Sequence, residues 1–268
     1  MMDYTRERRD SGREYSGTGN DYTLRGSGIL GAISREPIRH PVHLNRPTIL
    51  RGEKMFKSFG VIALCCSFLP AQTAGPERKV QSNLVTSERD PRVQIRLPES
   101  ARYVGADRFV LYDMADCELH VFVDGDEHKS VQRLYWVQFE GYLPTRPEFQ
   151  HTYDSPRHTN LAGLDFFVDT WVRAKDEPTR PGSDLEHIVK IVSGQGYHLP
   201  DGMMYVRLVY LFQEKRKELM IIYAEDSALT GHSATELQAG GKAHAEWPIL
   251  EKGLLERAEK SVKIAPIR

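Results

Sequence analysis

The sequence predicts an α+β fold: a curved antiparallel sheet of roughly six or seven strands built from hairpins, with a helix near 183–193 and a C-terminal helix near 246–262 packed on one side of it. Three observations carry this. Segments 131–140 and 164–172 alternate with period two, as strands do when one face meets a core. Apolar pairs of segments flank short polar connections, the pattern of hairpins. Two stretches instead repeat their apolar residues at helical spacing.

In chain order, Arg108–Met114 and Glu118–Val123 read as a hairpin around Ala115-Asp116-Cys117. Asp124-Gly125-Asp126-Glu127 is a turn cluster, too short in ligand spacing for calcium, which wants six to eight oxygens. Val131–Glu140 follows as a strand, with Val131, Tyr135, Val137 and Phe139 on one face, interrupted by Arg133, and Gln132, Leu134, Trp136, Gln138 and Glu140 on the other. A long connection rich in Pro and His runs from Gly141 to Asn160. In Leu164–Val172, the residues Leu164, Phe166, Val168 and Val172 alternate against Asp165, Phe167, Asp169 and Trp171.

Ser183-Asp184-Leu185-Glu186 has the form of a capping box, in which Ser and Glu satisfy free backbone donors at a helix start. Leu185, Ile188, Val189 and Val192 continue the helix and Gly194 stops it. Met203–Phe212 and Leu219–Ala224 form the strongest hairpin, around Gln213–Glu218. The closing helix has Pro248 in its first turn and a stripe of Leu250, Leu254, Leu255, Ala258 and Val262.

The N-terminal quarter reads differently. From Met55, Lys57 precedes an apolar run of eleven residues, Phe59–Leu69, and then Pro70–Ala74. Charge, apolar core and small polar residues in that order make a secretory signal peptide, and the run is far short of the roughly twenty residues that span a bilayer. The expected organisation is therefore translation from Met55, with 1–54 a mis-assigned start or, if made, a disordered leader, then a signal peptide over 55–74 cut near 73–74, an extension over 75–104, and one α+β domain over 105–268. The leader carries ten Lys or Arg and seven Asp or Glu without apolar periodicity, a composition that cannot offset its ordering entropy. The product is expected to be exported, to the periplasm or beyond, with no stable membrane anchor after cleavage. Lipidation is disfavoured because Leu64 and Cys65 precede the two candidate cysteines.

Formal net charge is −1, and the part after residue 74 is mildly acidic without a basic cluster, which excludes nucleic acid as an expected partner. Loss of Cys65 and Cys66 with the signal would leave Cys117 as the remaining thiol. There is no Gly-x-Ser-x-Gly elbow and no His-Glu-x-x-His helix, and no cofactor is implied.

The leading functional expectation is a non-catalytic domain binding a small apolar or amphipathic molecule, or an envelope protein, on an aromatic sheet face. Tyr112, Phe122, Trp136 and Trp171 would supply the rings, with His120 and Gln138 as polar groups. Phe167, Tyr210, Phe212 and Asp169 belong to the same expected face. The alternative is a periplasmic hydrolase or metal-dependent enzyme using the 141–160 loop, whose His151, Asp154 and His158 are local donors and to which His198 could be added. Zinc needs three or four ligands, and that spacing matches no compact motif. A third reading is a protein-interaction module using a strand edge, the aromatics being plain core.

Overall fold

The computed structural model describes residues 75–267, so the expected leader and signal segments lie outside the described residues. Its centre is a seven-stranded antiparallel sheet of β4 (Arg102–Leu111), β5 (Ala115–Gly125), β6 (Val131–Tyr142), β7 (Arg157–Leu161), β8 (Leu164–Ala174), β9 (Gly202–Phe212) and β10 (Lys217–Asp226), in the order β4-β5-β6-β10-β9-β8-β7. A second antiparallel sheet joins β1 (Lys79–Gln81), β2 (Leu84–Ser87), β3 (Val93–Arg96) and β11 (Lys263–Pro266) in the order β1-β2-β3-β11. The helices are α1 (Asp184–Gly194), α2 (Ala234–Leu237) and α3 (Trp247–Ser261). The predicted α+β class with a seven-stranded antiparallel sheet is what the chain adopts. No helix among the described residues is long and apolar enough to cross a membrane.

Alternation explains the layers. In β6, Tyr135, Val137 and Phe139 join Val85, Ile95, Leu254 and Ala258 in one core, so the small sheet and α3 cover that face. Leu134 and Trp136 join Ile188, Val192 and Leu119 in a second core beneath α1. The two long helices therefore lie on opposite faces, which corrects the expectation that both pack on one side. Strands apolar on both faces need two covering layers, but the pattern does not say which helix covers which face. Val131 also changes face. A register shift between Asp124 and Gly125 leaves Gln132 as an extra residue between Val131 and Arg133, and Val131 packs with the α1-side core rather than with Tyr135. Residues 75–104, expected as an extension, carry three strands of the small sheet and the start of β4.

Two turns differ from the reading of the sequence. Leu111 pairs with Ala115, so Tyr112-Asp113-Met114 makes the β4–β5 turn and Ala115-Asp116-Cys117 is already strand. Tyr112 and Asp113 accept φ of 50° and 57° there, and Met114 N–H donates to the Leu111 carbonyl at 2.9 Å. The 141–160 connection shortens to 143–156, because Arg157–Leu161 forms the edge strand β7 on Val168–Leu164. Its polar alternation carries little apolar signal. The acidic turn serves itself: Asp126 Oδ1 accepts from His128 N and Ser130 N, both at 2.9 Å, and Asp124 pairs with Arg133 at 3.2 Å.

Helix α1 starts at the predicted place with the wrong cap. Ser183 is extended at φ −81°, ψ 158°, yet its hydroxyl caps nothing and Oγ is buried without a partner. Its own N–H donates to the Arg180 carbonyl at 3.2 Å, so Glu186 Oε2 accepts from Gly182 N instead, at 2.5 Å. The closed box is at Ser233, where Glu236 N donates to Ser233 Oγ at 3.3 Å and Ser233 N to Glu236 Oε2 at 3.0 Å. Ser183→Ala is therefore expected to change stability by less than about 0.5 kcal/mol, against about 1 kcal/mol for a working cap. Urea denaturation measures it, and a loss near 1 kcal/mol would show that the hydroxyl caps after all. Gly202 has a steric reason: a Cβ there would meet the Ala234 Cβ at 2.3 Å, where β9 passes under α2.

Candidate metal centre

Glu140 on β6 and Glu218 on β10 are direct cross-strand partners on the α1 face. Such partners hold their Cβ atoms about 4.5–5.5 Å apart, so two carboxylates meet in a layer otherwise made of Leu134, Trp136, Met220 and Ile222. His151 descends on them from the 143–156 loop. That loop is wound around one side chain: Arg216 Nη1 donates to the carbonyls of Arg146, Pro147 and Phe149 at 3.0, 2.8 and 3.1 Å, and Nη2 to those of Tyr142 and Leu143 at 3.4 and 3.2 Å. His151 N–H then donates to the Lys215 carbonyl at 2.7 Å, and its ring stacks on Tyr142 with centroids 4.4 Å apart.

The ligand-capable atoms of Glu140, His151 and Glu218 all lie within 4.8 Å of one another. The three residues are 5 %, 0 % and 1 % exposed. His151 Nδ1 stands 3.0 Å from Glu218 Oε2 but out of line for a hydrogen bond. His151 Nε2 and Glu140 Oε1 have no hydrogen-bond partner, each a burial that costs about 1–3 kcal/mol.

The remaining polar atoms are anchored. Tyr153 hydroxyl donates to Glu218 Oε2 at 2.7 Å. Gln138 Nε2 donates to Glu140 Oε2 at 3.0 Å and to Asp184 Oδ2 at 3.3 Å, while Trp136 Nε1 donates to Gln138 Oε1 at 2.8 Å. Arg207 holds Asp169 at 2.6 Å and lies 5.0 Å from the Tyr153 ring centroid.

Titration follows from this crowding. Burial first, and the Glu218 charge second, push the Glu140 carboxyl up to about 8. Glu218 is buried as deeply, yet the His151 charge, the Tyr153 hydroxyl and Arg207 together hold it below the ordinary value. Burial pulls His151 down, but the two carboxylates outweigh it and raise it. Burial also raises the Cys117 thiol and Asp184.

One imidazole and two carboxylates at this spacing suit a divalent cation. Bonds of about 2.0–2.2 Å place tetrahedral donors about 3.3–3.6 Å apart, inside the 4.8 Å that bounds the group, so the side chains would draw together on an ion.

The residues expected from the sequence divide. His151 belongs to the centre. Asp154 is exposed beside it, and His158 sits on edge strand β7, paired to Asp165 at 3.0 Å. His198 is exposed and forms a bridge with Ser130. The six aromatic-face residues do not converge. His120 and Phe122 lie on the α3 face, where His120 Nε2 meets Glu118 Oε1 at 2.9 Å and Phe122 is core with Tyr135. Trp136 and Gln138 lie on the α1 face in the anchoring network above. Trp171 stacks on Tyr205 farther along that face with centroids 4.9 Å apart, and Tyr112 lies in its turn under Arg180 at 4.2 Å. Phe167 shares the α1 face, whereas Tyr210 and Phe212 pack on the α3 side. Glu140 and Glu218 were not expected as ligands; the signal was a carboxylate inside an apolar strand face.

Comparison of the chain with protein-family models, curated proteins and solved structures finds no match to any of them.

Proposed function

We propose that this chain is an exported, non-catalytic domain built around a bound divalent metal ion, with Glu140, His151 and Glu218 as its ligands. One observation carries the reading: three ionisable side chains converge in the interior, with Glu140 Oε1 and His151 Nε2 left without hydrogen-bond partners and His151 Nδ1 3.0 Å from Glu218 Oε2. A cation would take up Glu140 Oε1 and one His151 ring nitrogen, and its charge would compensate the carboxylates buried beside it. Burial supports a structural ion, because a centre covered by the 143–156 loop offers a substrate no approach. The signal-like segment 55–74 supports export. An apolar ligand on the aromatic face has no comparable convergence behind it.

The test is elemental analysis of protein purified without chelator and dialysed against buffered zinc, manganese and iron(II). About one equivalent of a transition-series ion is expected. Glu218→Gln should weaken it at least tenfold, and the metal should raise the melting temperature of the wild type, as any ligand of the folded state does. Wild-type protein that retains none of the three ions would overturn the proposal.

A further inference from the structure

We infer that the bound ion takes Cys117 as a fourth ligand, completing a tetrahedral set with Glu140, Glu218 and His151 that selects zinc-class ions over manganese, magnesium and calcium. This rests on the metal-binding reading above and deepens it by naming the class of ion.

Sheet register is the first argument. Cys117 is the cross-strand partner of Glu140, as Glu140 is of Glu218, so the three stand in one row across β5, β6 and β10 on the α1 face. Neighbouring strands are about 4.7–4.9 Å apart. His151 closes the row from above. The second argument is that Glu140, the middle of the row, has Oε1 unpartnered.

Cys117 is fully buried, and Sγ has a 3.9 Å contact with the Ala115 carbonyl. It lies outside the 4.8 Å group formed by the other three. A single torsion moves Sγ, so an ion seated over Glu140 draws it in by rotation about χ1, without backbone movement. On ligation the S–H bond breaks, a sulfur lone pair forms the metal–sulfur bond, and the proton passes to solvent. Thiolate is a soft donor that favours zinc and its analogues, whereas manganese, magnesium and calcium favour all-oxygen sets.

Cobalt(II) is the probe, because thiolate ligation gives a sulfur-to-cobalt charge-transfer absorption in the near ultraviolet that oxygen and nitrogen ligands do not. The full chain is used with Cys65→Ser and Cys66→Ser, leaving Cys117 as its one thiol. The band is expected on loading. Further replacement Cys117→Ser should abolish it and lower the preference for zinc over manganese at least tenfold. Cobalt bound without the band would overturn the inference while leaving the three-ligand centre intact, whether or not the Cys117 variant folds. Protein that binds no cobalt, zinc or manganese at all would overturn both, and the two failures are distinguished by measuring bound metal directly.

Discussion

Replacing Arg216 with alanine is expected to destabilise the protein by about 3 kcal/mol and to weaken metal binding with it. The guanidinium donates to five carbonyls between Tyr142 and Phe149. Hydrogen bonds from a charged donor contribute about 1.5–3 kcal/mol each when well formed. Here three share Nη1 and part of the group is exposed, so the sum is well below five full contributions. The loop also carries His151 and Tyr153, both of which face Glu218. Releasing it therefore removes one ligand and one anchoring hydroxyl together. Arg216→Lys should recover little, since an ammonium cannot spread over a fan of carbonyls as the planar fork does. Chemical denaturation with chelator, and again with saturating zinc, measures both effects. An unchanged midpoint would mean that the His151–Lys215 backbone bond holds the loop unaided.

The second large effect is with pH. Glu140 has a folded value of about 8 against an ordinary 4.5, so between those values the folded state binds the extra proton. By linkage, stability falls as pH rises through that window. His151 is also raised, so its contribution is present below about 6.5 and lost as pH climbs through its folded value. Glu218 is lowered and works at the other end: its contribution is present above 4.5 and lost on acidification. Metal-free protein should consequently be more stable near pH 5 than near pH 8. Glu140→Gln keeps the neutral form at every pH and should stabilise the metal-free protein at pH 8 by about 2 kcal/mol, of the order of one to two pKa units of linkage. Metal binding runs the opposite way, because Glu140 must shed its proton to ligate. Urea midpoints at pH 5, 6.5 and 8 decide it. Stability that rises across this range in chelator would sink the protonated-Glu140 account.

Much of the sheet was legible because period two is local. Tyr135, Val137 and Phe139 against Leu134, Trp136 and Gln138 can be read within one strand, and so can the Leu254–Ala258 stripe of α3. Register is not local. Whether Phe122 shares a face with Trp136 depends on Val121, not Phe122, pairing with Trp136, and nothing within either segment fixes that. The candidate centre was half legible for the same reason. His151 drew notice through its polar loop, but its neighbours are set by Glu140–Glu218 pairing across strands some eighty residues apart in sequence. The Ser183 motif misled differently. Its spacing is right, but Arg180 takes its N–H, and the same motif closes at Ser233.

The small sheet has a consequence for how this chain becomes a protein. Val93–Arg96 has Leu84–Ser87 on one side and Lys263–Pro266 on the other. Strands made early in synthesis thus await a partner made about 170 residues later. Loop closure over that span costs little more than over half of it, since the entropy grows only with the logarithm of length, but time does not scale so kindly. The edge of β3 stays open, and Ile95 lacks part of its cover, until residues 263–266 have left the ribosome. A nascent chain of this design cannot lock its structure midway. Its small sheet is complete only once Lys263–Pro266 is available, and removing that strand should leave a species prone to pair the open edge of β3 with a neighbour.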